Sequence, residues 1–197
     1  MFGKLFGKQT ASPPSTLIVA RLNDRAQPLD RGELYEDPLD AVLQKHRAGS
    51  ITGGGTMLAE NGEIDFCEVE IEIHEPATER IALVKKTLEE LGAPKGSKLE
   101  LLSQGKELPF GVNEGLAVYL NGTDLPDEVY AECDVDFIHS EFERLLGADG
   151  KVHSFWQGPT ETALYVYGPS FETMKRRIAA FLASYPLCQK ARVEKIA

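Results

Sequence analysis

An α+β protein in which one β-α-β-β-α-β unit occurs twice is what the sequence predicts, and three observations carry that prediction. The chain repeats itself. Val19-Ala20-Arg21-Leu22-Asn23 recurs as Ala117-Val118-Tyr119-Leu120-Asn121, and Glu33-Leu34-Tyr35-Glu36 recurs as Glu128-Val129-Tyr130-Ala131. The offsets are 98 residues (120 minus 22) and 95 residues (130 minus 35), the size of a small domain and longer than a solenoid unit. The segment Cys67 to Ile73 alternates apolar residues with Glu68, Glu70 and Glu72, a strict period of two that means one buried face and one face free of helices. Helix and hairpin signals then follow in the same order in both halves, and agreement across levels is strong support for a fold.

Taken in order, Thr16 to Leu22 is β-branched and apolar and reads as a strand. A long Pro-containing connection follows. Asp37-Pro38 opens a helix with an acid and a first-turn proline, Leu39, Val42, Leu43 and His46 mark one face, and Gly49 ends it. Ser50 to Leu58 and Ile64 to Ile73 form a hairpin around Glu60-Asn61-Gly62, because Asn-Gly is a strong turn signal. A helix from about Ala77 to Leu91 closes at Gly92 and Pro94, and Lys98 to Leu102 is the fourth strand. In the second half, Leu116 to Leu120 is a strand, Asp134 caps a helix ending at Gly147, and Lys151 to Trp156 with Thr162 to Tyr167 make a hairpin. Ser170 caps the last helix, and Ala191 to Ile196 is the last strand. This order is the ferredoxin-like unit, a four-stranded antiparallel sheet with two helices on one face. The expected organisation is a flexible lead over 1–15, a first unit over 16–102, a linker over 103–114 and a second unit over 115–197.

The chain as a whole also resembles a family of uncharacterised bacterial proteins made of tandem ferredoxin-like halves. The Gly53-Gly54-Gly55-Thr56 strand and the Leu91-Gly92-Ala93-Pro94-Lys95-Gly96-Ser97 turn carry the resemblance. It spans most of the length and implies no activity.

Composition narrows the function classes. The 197 residues are 42% hydrophobic and 26% charged, with a formal charge of −10, which repels phosphate backbones and anionic membranes. The expectation is a cytoplasmic protein with no nucleic-acid partner and no membrane association. Cys67, Cys133 and Cys188 are far apart and without metal spacing, so they read as free thiols in a reducing compartment. Met1 to Lys8 is basic and apolar but lacks the core of a signal peptide, and no later run is long enough to span a bilayer.

In a ferredoxin-like sheet the face without helices must be solvated, bound to a ligand, or packed on another domain. Its residues are the candidates for binding: Arg21, Glu68 and Glu70 with Val19, Phe66 and Glu72 in the first half, and Tyr119, Tyr165 and Tyr167 in the second. Three tyrosines on the first and third strands resemble an RNA-stacking platform. The second half, however, has 8 Lys and Arg against 12 Asp and Glu, so packing against the other half or a dimer mate is the favoured reading. The glutamate row is favoured as a solvated face, since three carboxylates in a straight row spread too far for one cation; no metal and no cofactor is expected. Gly53, Gly54, Gly55 and Thr56 interrupt a strand, and a bulged edge strand is preferred there to a ligand nest. The two long connections, 24–36 and 122–132, each carry Glu-(Leu or Val)-Tyr, which suggests a tyrosine anchoring the loop onto its helix. His46, His74, His139 and His153 are scattered with no nucleophile at motif spacing, and no catalytic residue is assigned. The expected function is binding or regulation, through a protein partner or a small molecule at an open sheet face, with a homodimer through a sheet compatible. The alternative is an enzyme with its site between the halves around Gly53 to Thr56.

Overall fold

The computed structural model describes residues 14–74 and 77–197. The expected lead falls mostly in residues 1–13, outside the described residues. The fold is α+β, with two antiparallel sheets. In the first half, strand β1 (Ser15–Leu22) is followed by a helical turn α1 (Pro28–Arg31), a π-turn (Gly32–Glu36) and helix α2 (Asp37–His46). The hairpin β2 (Gly49–Leu58) and β3 (Ile64–His74) leads to α3 (Ala77–Glu90), β4 (Ser97–Leu101) and β5 (Lys106–Phe110). The second half runs β6 (Glu114–Asn121), α4 (Asp127–Glu132), α5 (Val135–Leu146), β7 (Lys151–Gln157), β8 (Glu161–Gly168), α6 (Phe171–Ser184) and β9 (Arg192–Lys195). The sheet orders are β2-β3-β1-β4-β5 and β7-β8-β6-β9.

Burial follows the two periodicities. Ile18, Ala20 and Leu22 of β1 and Val69, Ile71 and Ile73 of β3 face Leu39 and Leu43 of α2 and Val84 and Leu88 of α3 in one core. Leu116, Val118, Leu120, Leu164 and Val166 face Ile138 and Phe142 of α5 and Met174 and Ile178 of α6 in another. Each Val, Leu, Ile, Phe or Met side chain among them contributes about 1.5–3 kcal/mol when fully buried. Local signals place the helices. Asp134 accepts from the amide of Asp136, and Ser170 from that of Thr173, so both predicted caps close their helices.

Three expectations are corrected. The first sheet has five strands rather than four, because Lys106–Phe110 inside the expected linker pairs with β4. Pro109 fits there because an edge strand does not need every amide donor. The connections 24–36 and 122–132 are partly helical rather than loops. Finally, α2 ends before Gly49: Arg47 adopts the left-handed conformation that stops it, and His46 is exposed. Gly49 opens β2 instead, at φ +156, where a Cβ would lie 2.0 Å from the carbonyl oxygen of Glu72.

Candidate functional site

The helix-free faces of the two sheets differ. On the second sheet, Ala117, Tyr119, Ala163, Tyr165 and Tyr167 form a third buried cluster, with the tyrosines at 3%, 0% and 1% exposure. Their hydroxyls point into the first half. Tyr119 and Tyr165 both donate to Oε1 of Glu63, at 2.7 and 2.6 Å, and Arg25 Nη1 reaches the same oxygen at 2.7 Å. Asn61, in the β2–β3 turn, donates to the other carboxylate oxygen at 2.7 Å and accepts from the Glu63 amide. Burial opposes ionisation of Glu63, but the hydrogen bonds from Tyr165, Asn61 and Tyr119 and the Arg25 charge outweigh it and hold the carboxyl below its usual range. The Tyr167 hydroxyl accepts from the Arg25 amide at 2.9 Å, and Ser154 donates to the Arg25 carbonyl at 2.6 Å. The segment after β1 is thereby clamped against β7 and the tyrosine face.

The neighbouring residue, Asp24, makes a second crossing. It is fully buried, and its Oδ2 accepts the Tyr35 hydroxyl at 2.5 Å and lies 2.8 Å from Nδ1 of His153. Its Oδ1 is buried without a hydrogen-bond partner among the described residues. Burial, followed by the charge of Asp24, pushes the Tyr35 hydroxyl well above its usual range, so it remains a donor. A carboxylate oxygen accepts, so Nδ1 of His153 donates to it, and in the neutral form of the ring Nε2 is then the free acceptor. The ring is held between Tyr167, at 4.7 Å between centroids, and Tyr35, at 6.5 Å edge-on.

Backbone geometry puts His153 there. Pairing of β7 with β8 steps from Val152↔Val166 to Ser154↔Tyr165, so His153 is the extra residue of a β-bulge. Val152 stays in the helix-side core, Ser154 binds the first half, and the bulged residue between them turns toward Asp24. His153 and Tyr167 also line a cleft of about 580 Å³. Residues of the first half, including Glu33, Leu34, Leu91 and Val112, form its other wall. That volume lies within the range of small-molecule sites, roughly 300–1,000 Å³. An imidazole with one nitrogen fixed on a carboxylate and the other free can accept a hydrogen bond from a ligand or take up a proton.

Of the residues expected to bind, Tyr119, Tyr165 and Tyr167 present no open platform, because their hydroxyls are spent on Glu63 and Arg25. Arg21, Glu68 and Glu70 lie on the helix-free face of the first sheet, with the Arg21 guanidinium stacked 3.4 Å from the centre of the Phe66 ring. Leu17 on the same face is 43% exposed. Gly53 to Thr56 do not line the cleft between the halves. They form the bulged β2 edge, with a register step between Ile51 and Gly53. A Cβ on Gly54 would lie 2.7 Å from the Glu68 carbonyl and 2.8 Å from Glu36 Oε1, so the missing side chain makes room for the Arg31–Glu36 ion pair. Arg31 then donates to the Gly55 carbonyl and to Thr56 Oγ1, both at 2.9 Å. Among the described residues no group of three His, Cys, Asp or Glu side chains could hold a metal ion.

Sequence reasoning missed Asp24, Arg25, Glu63 and His153. One signal pointed toward them: the tyrosine of the repeated Glu-(Leu or Val)-Tyr does tie down the start of its connection in both halves. Tyr35 does so through Asp24, and Tyr130 by accepting from the Leu125 amide and donating to the Asn121 carbonyl.

No family model matches the chain. No curated protein matches it. Among solved structures it is similar to a Galdieria sulphuraria protein described as unknown, at 8% identity over 92% of this chain and 98% of that one, with a TM-score of 0.27. It is also similar to a protein described as anthrone oxidase-like, at 13% identity over 92% of each chain, with a TM-score of 0.27. At these scores neither likeness bears on function.

Proposed function

We propose that the chain is two tandem ferredoxin-like units and that it binds a small molecule in the cleft between them, with His153 as the group that meets the ligand. The observation that carries this reading is the Asp24–His153 pair. A histidine on a β-bulge, fixed through Nδ1 by a fully buried carboxylate, lines a cleft of ligand size. The Glu63–Arg25–tyrosine network is the structural lock that holds the halves in register around it. The three cysteines are unpaired, which supports work in the cytoplasm.

Acid–base catalysis in the same cleft is the second reading, favoured by the buried Asp24 oxygen that stands unpartnered beside the pair. In that reading His153 Nε2 takes a proton from the substrate, and Asp24 holds the ring and stabilises the imidazolium that forms. Both readings make the same first demand. A fragment library of mixed charge, screened by thermal shift and by amide chemical shifts, yields ligands whose perturbations map to His153, Leu34 and Val112, and His153→Gln weakens them. If the ligands map to other surfaces only, the cleft is not the functional site.

A further inference from the structure

Granted that the cleft is the ligand site, we propose that it takes an organic cation, an amine or a similar N–H-bearing group on a small apolar body, which gives its N–H to Nε2 of His153. The acceptor is set by chemistry already described. With Nδ1 donating to Asp24, the neutral ring has a lone pair and no proton at Nε2. A carboxylate or phosphate ligand finds no donor there unless the ring is first protonated.

Charge points the same way. Asp24 lies directly behind the ring at 2.8 Å. Burial together with repulsion from Glu33 and Asp24 raises the Asp30 carboxyl above the usual range, which places three carboxyl groups close together beside the cleft. Glu33 lines the cleft and has no ion-pair partner among the described residues. On the same first-half wall Glu89 and Glu90 are neutralised in part by Lys85 and Lys86, at 3.9 and 3.5 Å, and Lys151 is the cation in the lining. The unpaired charge around His153 is therefore negative. Leu34, Leu91 and Val112 supply apolar wall for the body of the ligand.

Three one-ring probes that differ in the polar group alone test this: benzylamine, benzyl alcohol and benzoate, titrated into the full chain labelled with ¹⁵N-histidine. The expected result is that benzylamine moves the Nε2 resonance of His153 and binds about tenfold more tightly than benzyl alcohol, with benzoate weakest of the three. Glu33→Gln then lowers benzylamine affinity about three- to tenfold while leaving benzyl alcohol unchanged. His153→Gln, whose amide can still donate to Asp24, abolishes the difference between the probes with near-UV circular dichroism preserved. Benzoate binding as tightly as benzylamine, with His153 perturbed, overturns the cation class and leaves the cleft standing as a site. Benzylamine leaving the His153 resonance unmoved overturns the class as well. The library screen decides separately whether the cleft is the site.

Discussion

At the scale of single residues, the side chain with the most to lose is Glu63. Its two oxygens receive Arg25, Tyr119, Tyr165 and Asn61, and its side chain is 11% exposed. Removing its charge leaves Arg25 facing two hydroxyls and an amide, and breaking charged hydrogen bonds of this kind costs about 1–3 kcal/mol. Glu63→Gln is therefore expected to lower stability by that amount in denaturant titration. The pH dependence has a definite sign. The folded carboxyl titrates below its unfolded value near 4.3, so its contribution is complete above that pH and is lost as pH falls through the folded value. Thermal melts of the wild type should drop across that acid window more steeply than those of Glu63→Gln; parallel curves would remove Glu63 from the account of the interface. The sequence did not mark Glu63, which follows an Asn-Gly turn and reads there as an ordinary hairpin residue. Three of its four partners lie 38, 56 and 102 positions away, and the convergence of Tyr119 and Tyr165 on it exists only once the halves dock.

At the scale of elements, the glycine strand separates two explanations. If β2 carries glycine to admit a ligand, Gly53, Gly54 and Gly55 should be similarly sensitive. The structure makes them unequal. A Cβ on Gly54 meets the Glu68 carbonyl at 2.7 Å and the Arg31–Glu36 pair, whereas one on Gly55 meets nothing nearer than Glu68 Oε2 at 3.9 Å. Gly54→Ala is expected to cost about 1–3 kcal/mol by overpacking, and Gly55→Ala less than about 0.5 kcal/mol, measured by chemical denaturation. Equal costs would mean that the Arg31–Glu36 packing is not what glycine serves. Elements like this one were legible early. The alternation from Cys67 to Ile73 announced β3, Asn61-Gly62 announced the hairpin, and Asp134 and Ser170 announced their helices. The strand Lys106–Phe110 was not legible, because Gly105, Pro109 and Gly111 read as a linker and its hydrogen bonds come from β4 rather than from its own sequence.

At the scale of the whole molecule, the two halves repeat an order of elements but not a surface. Arg21 and Tyr119 stand at matching places in β1 and β6, opposite Glu68 of β3 and Ala163 of β8. Continuing along the third strand of each half, Glu70 and Glu72 match Tyr165 and Tyr167. The charged face remains in solvent, and the aromatic face is covered by the other half. That contrast was present in the sequence as composition. What covers the tyrosines was not, since Asp24, Arg25 and Glu63 are unremarkable until docking brings them together. The pair at the cleft spans 129 positions, with Asp24 in the first half and His153 on the β-bulge of the second, and it exists only in the docked molecule. Its state can be read directly in a long-range ¹H–¹⁵N spectrum of the ¹⁵N-histidine-labelled chain at neutral pH. The account predicts that His153 carries its proton on Nδ1 with Nε2 bare, and that Asp24→Asn disturbs this resonance while leaving those of His46, His74 and His139 in place. A proton on Nε2, or a His153 signal indifferent to Asp24→Asn, would contradict it.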